Sequence, residues 1–147
     1  MHAVAHRCPC GLPDVVATKP RLEDGTPFPT LYYITCPRAV SAISTLEASG
    51  LMREMTRRLT IDEDLSVAYE RAHGAYLADR ESLALVAEIA DVSAGGMPDR
   101  VKCLHALVAH TLGAGPGVNP LGDEALTCLP DWWSAGPCVQ MPGEEVG

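Results

Sequence analysis

The chain has 147 residues, of which 11 are Lys or Arg and 19 are Asp or Glu, so its formal net charge is −8. This acidic balance disfavours nucleic-acid binding, and no apolar run reaches the roughly 18 residues that a membrane-spanning helix needs. The length suits one domain. With two Trp, four Tyr and one Phe, aliphatic side chains must form most of the core, which favours helices.

The first part of the chain predicts a small antiparallel sheet. Short β-branched runs at Ala3–Arg7 and 14–18 flank the turn CPCGLP, which is typical of a hairpin. The run LYYIT at 31–35 has the highest strand propensity in the sequence and predicts a third strand. Because the first strand begins almost at Met1, we expect further sequence upstream of it.

Apolar spacing and boundary residues predict about five helices in the remainder of the chain. Pro37 suits a first helical position, and Thr60-Ile-Asp-Glu63 matches a capping box that opens a long helix. The helices are expected at about 37–49, 51–59, 61–86, 98–112 and 119–128. We therefore predict an α+β fold, mainly helical, as a single domain over residues 1–130, with 131–147 as a loosely ordered tail.

Six cysteines are a high number for a chain of this length. Residues 1–7 hold no apolar segment of a secretion signal, so we expect a cytoplasmic protein. In that reducing compartment cysteines serve as packing residues, reactive thiols or metal ligands, and rarely as disulfides.

Four of the cysteines suit a structural metal site. Two stand one residue apart in RCPCG, one follows the third expected strand, and one lies on the fourth expected helix: Cys8, Cys10, Cys36 and Cys103. Thiolates from separate elements would form a closed zinc site that joins sheet to helix, and the same four could hold an iron–sulfur cluster. The alternative is that they are small buried hydrophobic residues. Cys128 and Cys138 are expected to be incidental packing or exposed thiols.

The segment SAGGMPDRVK indicates a different site. A glycine-rich loop that opens a helix can bind an anion through free N–H groups and the helix dipole. The candidate anion-binding residues are Ser93, Gly95, Gly96, Arg100 and Lys102. Cys103 could then act as nucleophile and His105 or His110 as acid or base. The alternative is a tight turn whose Asp99 already complements the dipole, with His105 as a core residue.

Five motifs in order, RCPCGLP, DGTPFPTLYYIT, SGLMREM, SAGGMPDRVKCLHALVAH and GPGVNPLGDEAL, resemble the DUF501 family, an uncharacterised group found mainly in actinobacteria. The resemblance covers about residues 7–126 and implies a start upstream of Met1. It also implies that position 36 is often histidine, an exchange that a zinc site tolerates and a hydrophobic core generally does not. The resemblance further implies that family genes often lie near those for a septum-formation initiator and an exopolyphosphatase-like enzyme. This neighbourhood implies a role linked to the cell envelope, division or phosphate.

The sequence therefore leads us to expect a zinc-stapled accessory or protein-interaction module, and not an enzyme. Its partner is expected to be another protein, bound through the helices or Trp132-Trp133, with neither nucleic acid nor membrane insertion involved. The alternative is a phosphate- or anion-handling enzyme or sensor that uses the Gly95-Gly96 loop. Convergence of Arg100, His105 and Asp123 on one cavity would favour that enzyme.

Overall fold

The computed structural model describes residues 2–134 and Cys138. Within these residues the chain forms a three-stranded sheet and five α-helices, which confirms the predicted α+β class. The strands are β1 (Ala3–Arg7), β2 (Pro13–Ala17) and β3 (Tyr32–Ile34). The helices are α1 (Pro37–Glu47), α2 (Leu51–Ile61), α3 (Glu63–Glu81), α4 (Leu104–Ala114) and α5 (Pro120–Thr127), with a 3-10 turn at Ala87–Ile89. None of the helices in the described part of the chain is both long and apolar enough to cross a bilayer.

The sheet is antiparallel with strand order β1-β2-β3, so β2 lies in the centre. Val16 of β2 pairs with Val4 on one side and with Tyr33 on the other. The neighbouring pair, Val15 and Ile34, is buried in the hydrophobic core. β1 and β2 form the predicted hairpin, which places the RCPCG turn at one end of the sheet.

Local signals determine most helix boundaries. Pro37 lies at the start of α1, as predicted, and Gly50, with a φ of 90°, separates α1 from α2. The predicted capping box at Thr60 is wrong. Asp62 is the N-cap of α3, where its Oδ1 accepts a hydrogen bond from Leu65 N at 3.1 Å. The Asp62 carboxylate, directly before the helix, satisfies that N–H, whereas Thr60 still belongs to α2.

Helix α4 is the centre of the fold and contacts α1, α5 and all three strands. Its side chains Leu104, Leu107 and Val108 are completely buried. Helix α4 begins later than the predicted start at residue 98, because the preceding residues form a turn. In that turn Lys102 N donates to Gly95 O at 2.7 Å.

The start of α4 is capped from a distance. The N–H of Leu104 donates to Glu47 Oε2 at 2.8 Å, and Glu47 is the last residue of α1. A carboxylate at this position satisfies a free N–H group and complements the helix dipole. The beginning of α4 is therefore set by tertiary structure, which local sequence signals do not reveal.

Arg80, near the end of α3, organises the segment that follows it. Its side chain is 2% exposed. Its guanidinium donates to Pro29 O at 2.7 Å, to Val92 O at 2.6 Å and to Ile89 O at 2.6 Å. Because residues 89–92 turn back to reach this group, α3 ends at Glu81 and does not continue to the predicted residue 86.

The residues after α5 return to the core. Trp132 and Cys138 are each 8% exposed and belong to the hydrophobic core, and Trp133 packs against it. The sequence predicts a loose tail over residues 131–147. Residues 135–137 and 139–147 of that segment lie outside the described residues.

Replacing Arg80 with Met should lower the free energy of unfolding by about 2–4 kcal/mol, because buried carbonyls left without a donor cost about 1–3 kcal/mol each. Urea unfolding followed by circular dichroism measures this loss. The matched control is Arg57→Met, since Arg57 is 57% exposed and its ion pair within the described residues is with Glu54 on its own helix. Equal unfolding midpoints for the two variants would contradict the role given to Arg80.

Candidate metal centre

Three buried thiols from distant parts of the chain meet at one point. Cys8 lies in the turn after β1, Cys36 is the N-cap of α1 just after β3, and Cys138 lies beyond α5. Their sulfur atoms are all within 4.8 Å of one another. Burial of all three places them in the core between the hairpin and the first helix.

A fourth thiol, that of Cys10, borders this group. Cys10 is half-buried and packs against the core that contains Cys8, Cys36 and Cys138, and its sulfur is not part of the group that lies mutually within 4.8 Å. The pKa of Cys10 is lowered to about 7, chiefly because the backbone N–H of Leu12 bonds its sulfur. We call Cys8, Cys10, Cys36 and Cys138 the four-cysteine cluster.

The RCPCG turn explains why two of these cysteines lie close together. Cys8 N donates to Leu12 O at 2.9 Å, and Gly11 N donates to Cys8 O at 2.8 Å. Gly11 has a φ of 94°, a conformation that residues with a Cβ rarely adopt. The tight turn holds Cys8 and Cys10 close together, and the Cys8 thiol lies next to that of Cys36.

The geometry of the four-cysteine cluster suits one tetrahedral ion. Two sulfurs bound at roughly 2.3 Å to the same zinc ion lie roughly 3.8 Å apart. The sulfurs of Cys8 and Cys138 are 3.6 Å apart. This separation is far longer than the roughly 2.05 Å of a disulfide.

The protonation of the buried thiols would change if a cation bound beside them. Burial raises the pKa of the Cys8 thiol and, more strongly, that of Cys138. Desolvation therefore keeps these thiols neutral when no positive charge is near. A bound divalent cation reverses this preference, since a coordinated thiol is deprotonated outright.

Cys103 lies elsewhere, which corrects the predicted ligand set. It is the N-cap of α4, and its sulfur groups with Glu47 and His105, not with Cys8 and Cys36. Of the four predicted thiols, Cys8 and Cys36 come together, and the third sulfur of their group is that of Cys138. Cys10 lies close to Cys8 in the chain but outside that group. No sequence pattern marks Cys138 as a metal ligand. It is one of the two cysteines that the predicted metal site does not use.

A family profile for proteins of unknown function, DUF501, matches residues 4–127. The chain belongs to the DUF501 family. No curated protein and no solved structure matches it. In this DUF501 protein Cys8, Cys10 and Cys36 lie within the matched residues, and Cys138 lies after them.

The glycine-loop candidates of the DUF501 protein lie around one pocket. A cavity of about 640 Å³ is lined by Ser93, Gly95, Gly96, Arg100 and Lys102, together with the acidic residues Asp91 and Asp99. The loop does not lead directly into a helix, because α4 begins only at Leu104 and its first N–H is taken by Glu47. The expected help from the helix dipole is therefore missing, although the predicted residues do share one cavity.

His110, a predicted acid or base, is a core residue in the DUF501 protein. It is completely buried, its Nδ1 accepts a hydrogen bond from Asn119 Nδ2 at 3.1 Å, and its ring stacks on Tyr32. Burial lowers the pKa of His110 to about 4. The ring is therefore neutral at physiological pH and out of reach of a substrate.

The three groups whose convergence would favour an enzyme do not share a pocket. Arg100 lines the glycine-loop cavity, and His105 lines a different one. Asp123 lies on α5, where its Oδ2 accepts a hydrogen bond from Gly117 N at 2.9 Å. This scatter disfavours acid–base chemistry at the glycine loop.

The buried neutral His110 makes the stability of this DUF501 protein depend on pH. Its folded-state pKa of about 4 lies below the ordinary value of 6.5, so the unfolded state binds the proton first as pH falls. Stability should fall by about 3 kcal/mol between about pH 6.5 and pH 4 through this group.

Denaturant titrations of the wild type and of His110→Gln at a series of pH values isolate this contribution. Gln can still accept a hydrogen bond from Asn119 but does not titrate, so the difference between the two curves should shrink as the pH falls. Parallel curves would mean that His110 is protonated equally in both states.

Proposed function

We propose that this DUF501 protein is a cytosolic accessory module that binds another protein and whose fold is stapled by a structural zinc ion at the four-cysteine cluster. The observation that carries the proposal is the meeting of buried thiols from the hairpin, the start of α1 and the C-terminal segment. Four thiolates around one zinc ion form a closed structural site with no position left for a substrate. A cytosolic location suits this site, because a reducing compartment keeps all six cysteines free of disulfides.

The separations among the sulfurs favour a single ion over an iron–sulfur cluster. A cluster distributes its cysteines over several iron atoms, so sulfurs on different irons lie farther apart than ligands of one ion. The three buried sulfurs are mutually within 4.8 Å.

Exposed apolar side chains support the proposal that this protein binds another protein. Arg100, His105 and Asp123 do not converge, so acid–base catalysis lacks its parts. Large apolar side chains stand exposed instead, including Leu85 at 80% and Ile61 at 68%. Trp132 is buried, so the Trp pair mainly closes the core, and the helices remain as the surface for a partner. The link to the cell envelope or division comes from the family resemblance alone.

Protein purified under reducing conditions should lose about one zinc ion per chain when Cys138 is replaced with Ser, because a structural zinc site needs all four ligands. The loss should also lower the melting temperature. Cys128→Ser is the matched control, since Cys128 is exposed and outside the cluster. Elemental analysis and thermal unfolding measure both effects.

The variant Cys36→His separates a metal site from a packed core. Histidine is a common zinc ligand, so zinc should be retained. A hydrophobic pocket, by contrast, would reject the larger polar ring. If the wild-type protein contains no zinc and is as stable as Cys138→Ser, the structural zinc site is refuted. A disulfide between Cys8 and Cys138 in mass spectra would indicate redox chemistry at these cysteines and no metal site.

A partner should depend on the zinc-stapled fold. The tagged wild type, used as bait in a lysate of its own organism, should retain a specific protein that Cys138→Ser does not retain and Cys128→Ser does. Substitution of an exposed side chain, Leu85→Glu or Ile61→Glu, should reduce that binding without changing the zinc content. Retention that is the same for all these baits would leave the interaction role without support.

The glycine-loop cavity favours a second candidate function, that of a phosphate-handling enzyme or sensor. All five predicted anion-binding residues line it. Against it stand two lining carboxylates and a net charge of −8. Calorimetry with inorganic phosphate decides between the two functions. The second function requires binding that Arg100→Ala weakens, whereas the module predicts no heat of binding for either protein.

A further inference from the structure

A second group of metal-binding side chains lies where the end of α1 meets the start of α4. Glu47 is the last residue of α1, Cys103 is the N-cap of α4, and His105 lies in the first turn of α4. A carboxylate oxygen, the sulfur and an imidazole nitrogen lie within 4.8 Å of one another. All three residues are partly buried, unlike the buried sulfurs of Cys8, Cys36 and Cys138.

The hydrogen bonds of His105 leave one nitrogen facing the other two ligands. Its Nε2 lies 3.2 Å from Val40 O and 3.3 Å from Ser44 Oγ. The carbonyl can only accept and the hydroxyl oxygen can also accept, so a proton on Nε2 satisfies both contacts. Its Nδ1 lies 3.2 Å from Glu47 Oε1. In a neutral ring Nδ1 then presents a lone pair to a carboxylate, which requires a positive charge between them.

That positive charge is either a proton or a metal ion. A proton on Nδ1 satisfies His105 and Glu47 but leaves the thiol of Cys103 without a role. A divalent cation satisfies all three groups, and the bond from Nε2–H to Val40 O is then the backbone anchor that metal-bound histidines usually have. The Nδ1–Oε1 distance of 3.2 Å is close to the roughly 3.3 Å expected for two ligands of one tetrahedral zinc ion.

We propose that Glu47, Cys103 and His105 bind a second transition-metal ion with an open coordination position. Three protein ligands plus one exchangeable ligand are the arrangement of catalytic and ligand-binding zinc sites. Cys103 and His105 line a pocket of about 240 Å³ whose other walls include Tyr33, Ile34 and Val40. The open position is therefore reached from a small, largely apolar pocket.

The pocket defines the class of ligand. A metal ion in this position binds water or one anionic donor of a small molecule, and Ile34 and Val40 accept an apolar body attached to that donor. The four-cysteine cluster offers no such position, so the two sites differ in function. The second site gives the module a small-molecule ligand, and its three ligand residues include none of the four-cysteine cluster.

Cobalt(II) titration of reduced, metal-free protein tests the proposal, because cobalt absorbs visible light with a spectrum that depends on its ligands. The wild type should bind one ion more than Glu47→Gln or Cys103→Ser, whose affinity at this site should fall roughly 100-fold or more. Gln at position 47 can still accept the hydrogen bond from Leu104 N, so this variant keeps the cap of α4 and its fold. Cys128→Ser should bind as the wild type does.

Azide supplies the second readout. Added to the cobalt-loaded wild type, it should change the spectrum by occupying the open position, and it should leave the spectrum of cobalt-loaded Glu47→Gln unchanged. Equal metal content in the wild type, Glu47→Gln and Cys103→Ser would overturn the proposal and leave an ion pair between His105 and Glu47. If Cys138→Ser loses metal and Cys103→Ser does not, only the structural site is supported and the second site is refuted. If Cys103→Ser loses metal and Cys138→Ser does not, the second site is supported and the structural site is refuted.

Discussion

The meeting of three buried sulfur atoms, with Cys10 as the proposed fourth ligand, is the constraint on which the proposed architecture depends. Cys8 and Cys138 are separated by 130 positions in the chain, yet their sulfurs are 3.6 Å apart. Holding such distant segments together costs chain entropy, and burying thiols without partners adds little in return. A bound metal ion would account for both features, because its bonds would offset the entropy and its charge would favour thiolates in a buried place.

Helix α1 connects the two candidate metal sites. Its N-cap is Cys36, in the four-cysteine cluster, and its last residue is Glu47, in the second cluster. At 1.5 Å per residue the two ends of this helix lie roughly 16 Å apart. Glu47 also caps α4. Helix α1, which a metal at Cys36 would anchor, therefore carries both the cap of α4 and a proposed ligand of the second site. An ion in the four-cysteine cluster would thereby help to position the second site.

Sequence reasoning succeeded where local signals decide the outcome. The hairpin around RCPCG, the start of α1 at Pro37 and the cap of α5 at Asn119 each depend on neighbouring residues. It failed where a distant side chain decides. Glu47 sets the start of α4, so Cys103 faces α1 and not the hairpin, and Cys138 reaches the core after a segment rich in Gly and Pro that has no periodic pattern to read.

X-ray absorption at the zinc edge tests the central claim most directly. The Glu47→Gln protein, loaded with a single equivalent of zinc, leaves the four-cysteine cluster as the expected binding site. The account predicts four sulfur ligands at about 2.3 Å and no nitrogen or oxygen ligand. A coordination sphere made mainly of nitrogen and oxygen, or zinc that does not bind at all, would contradict it.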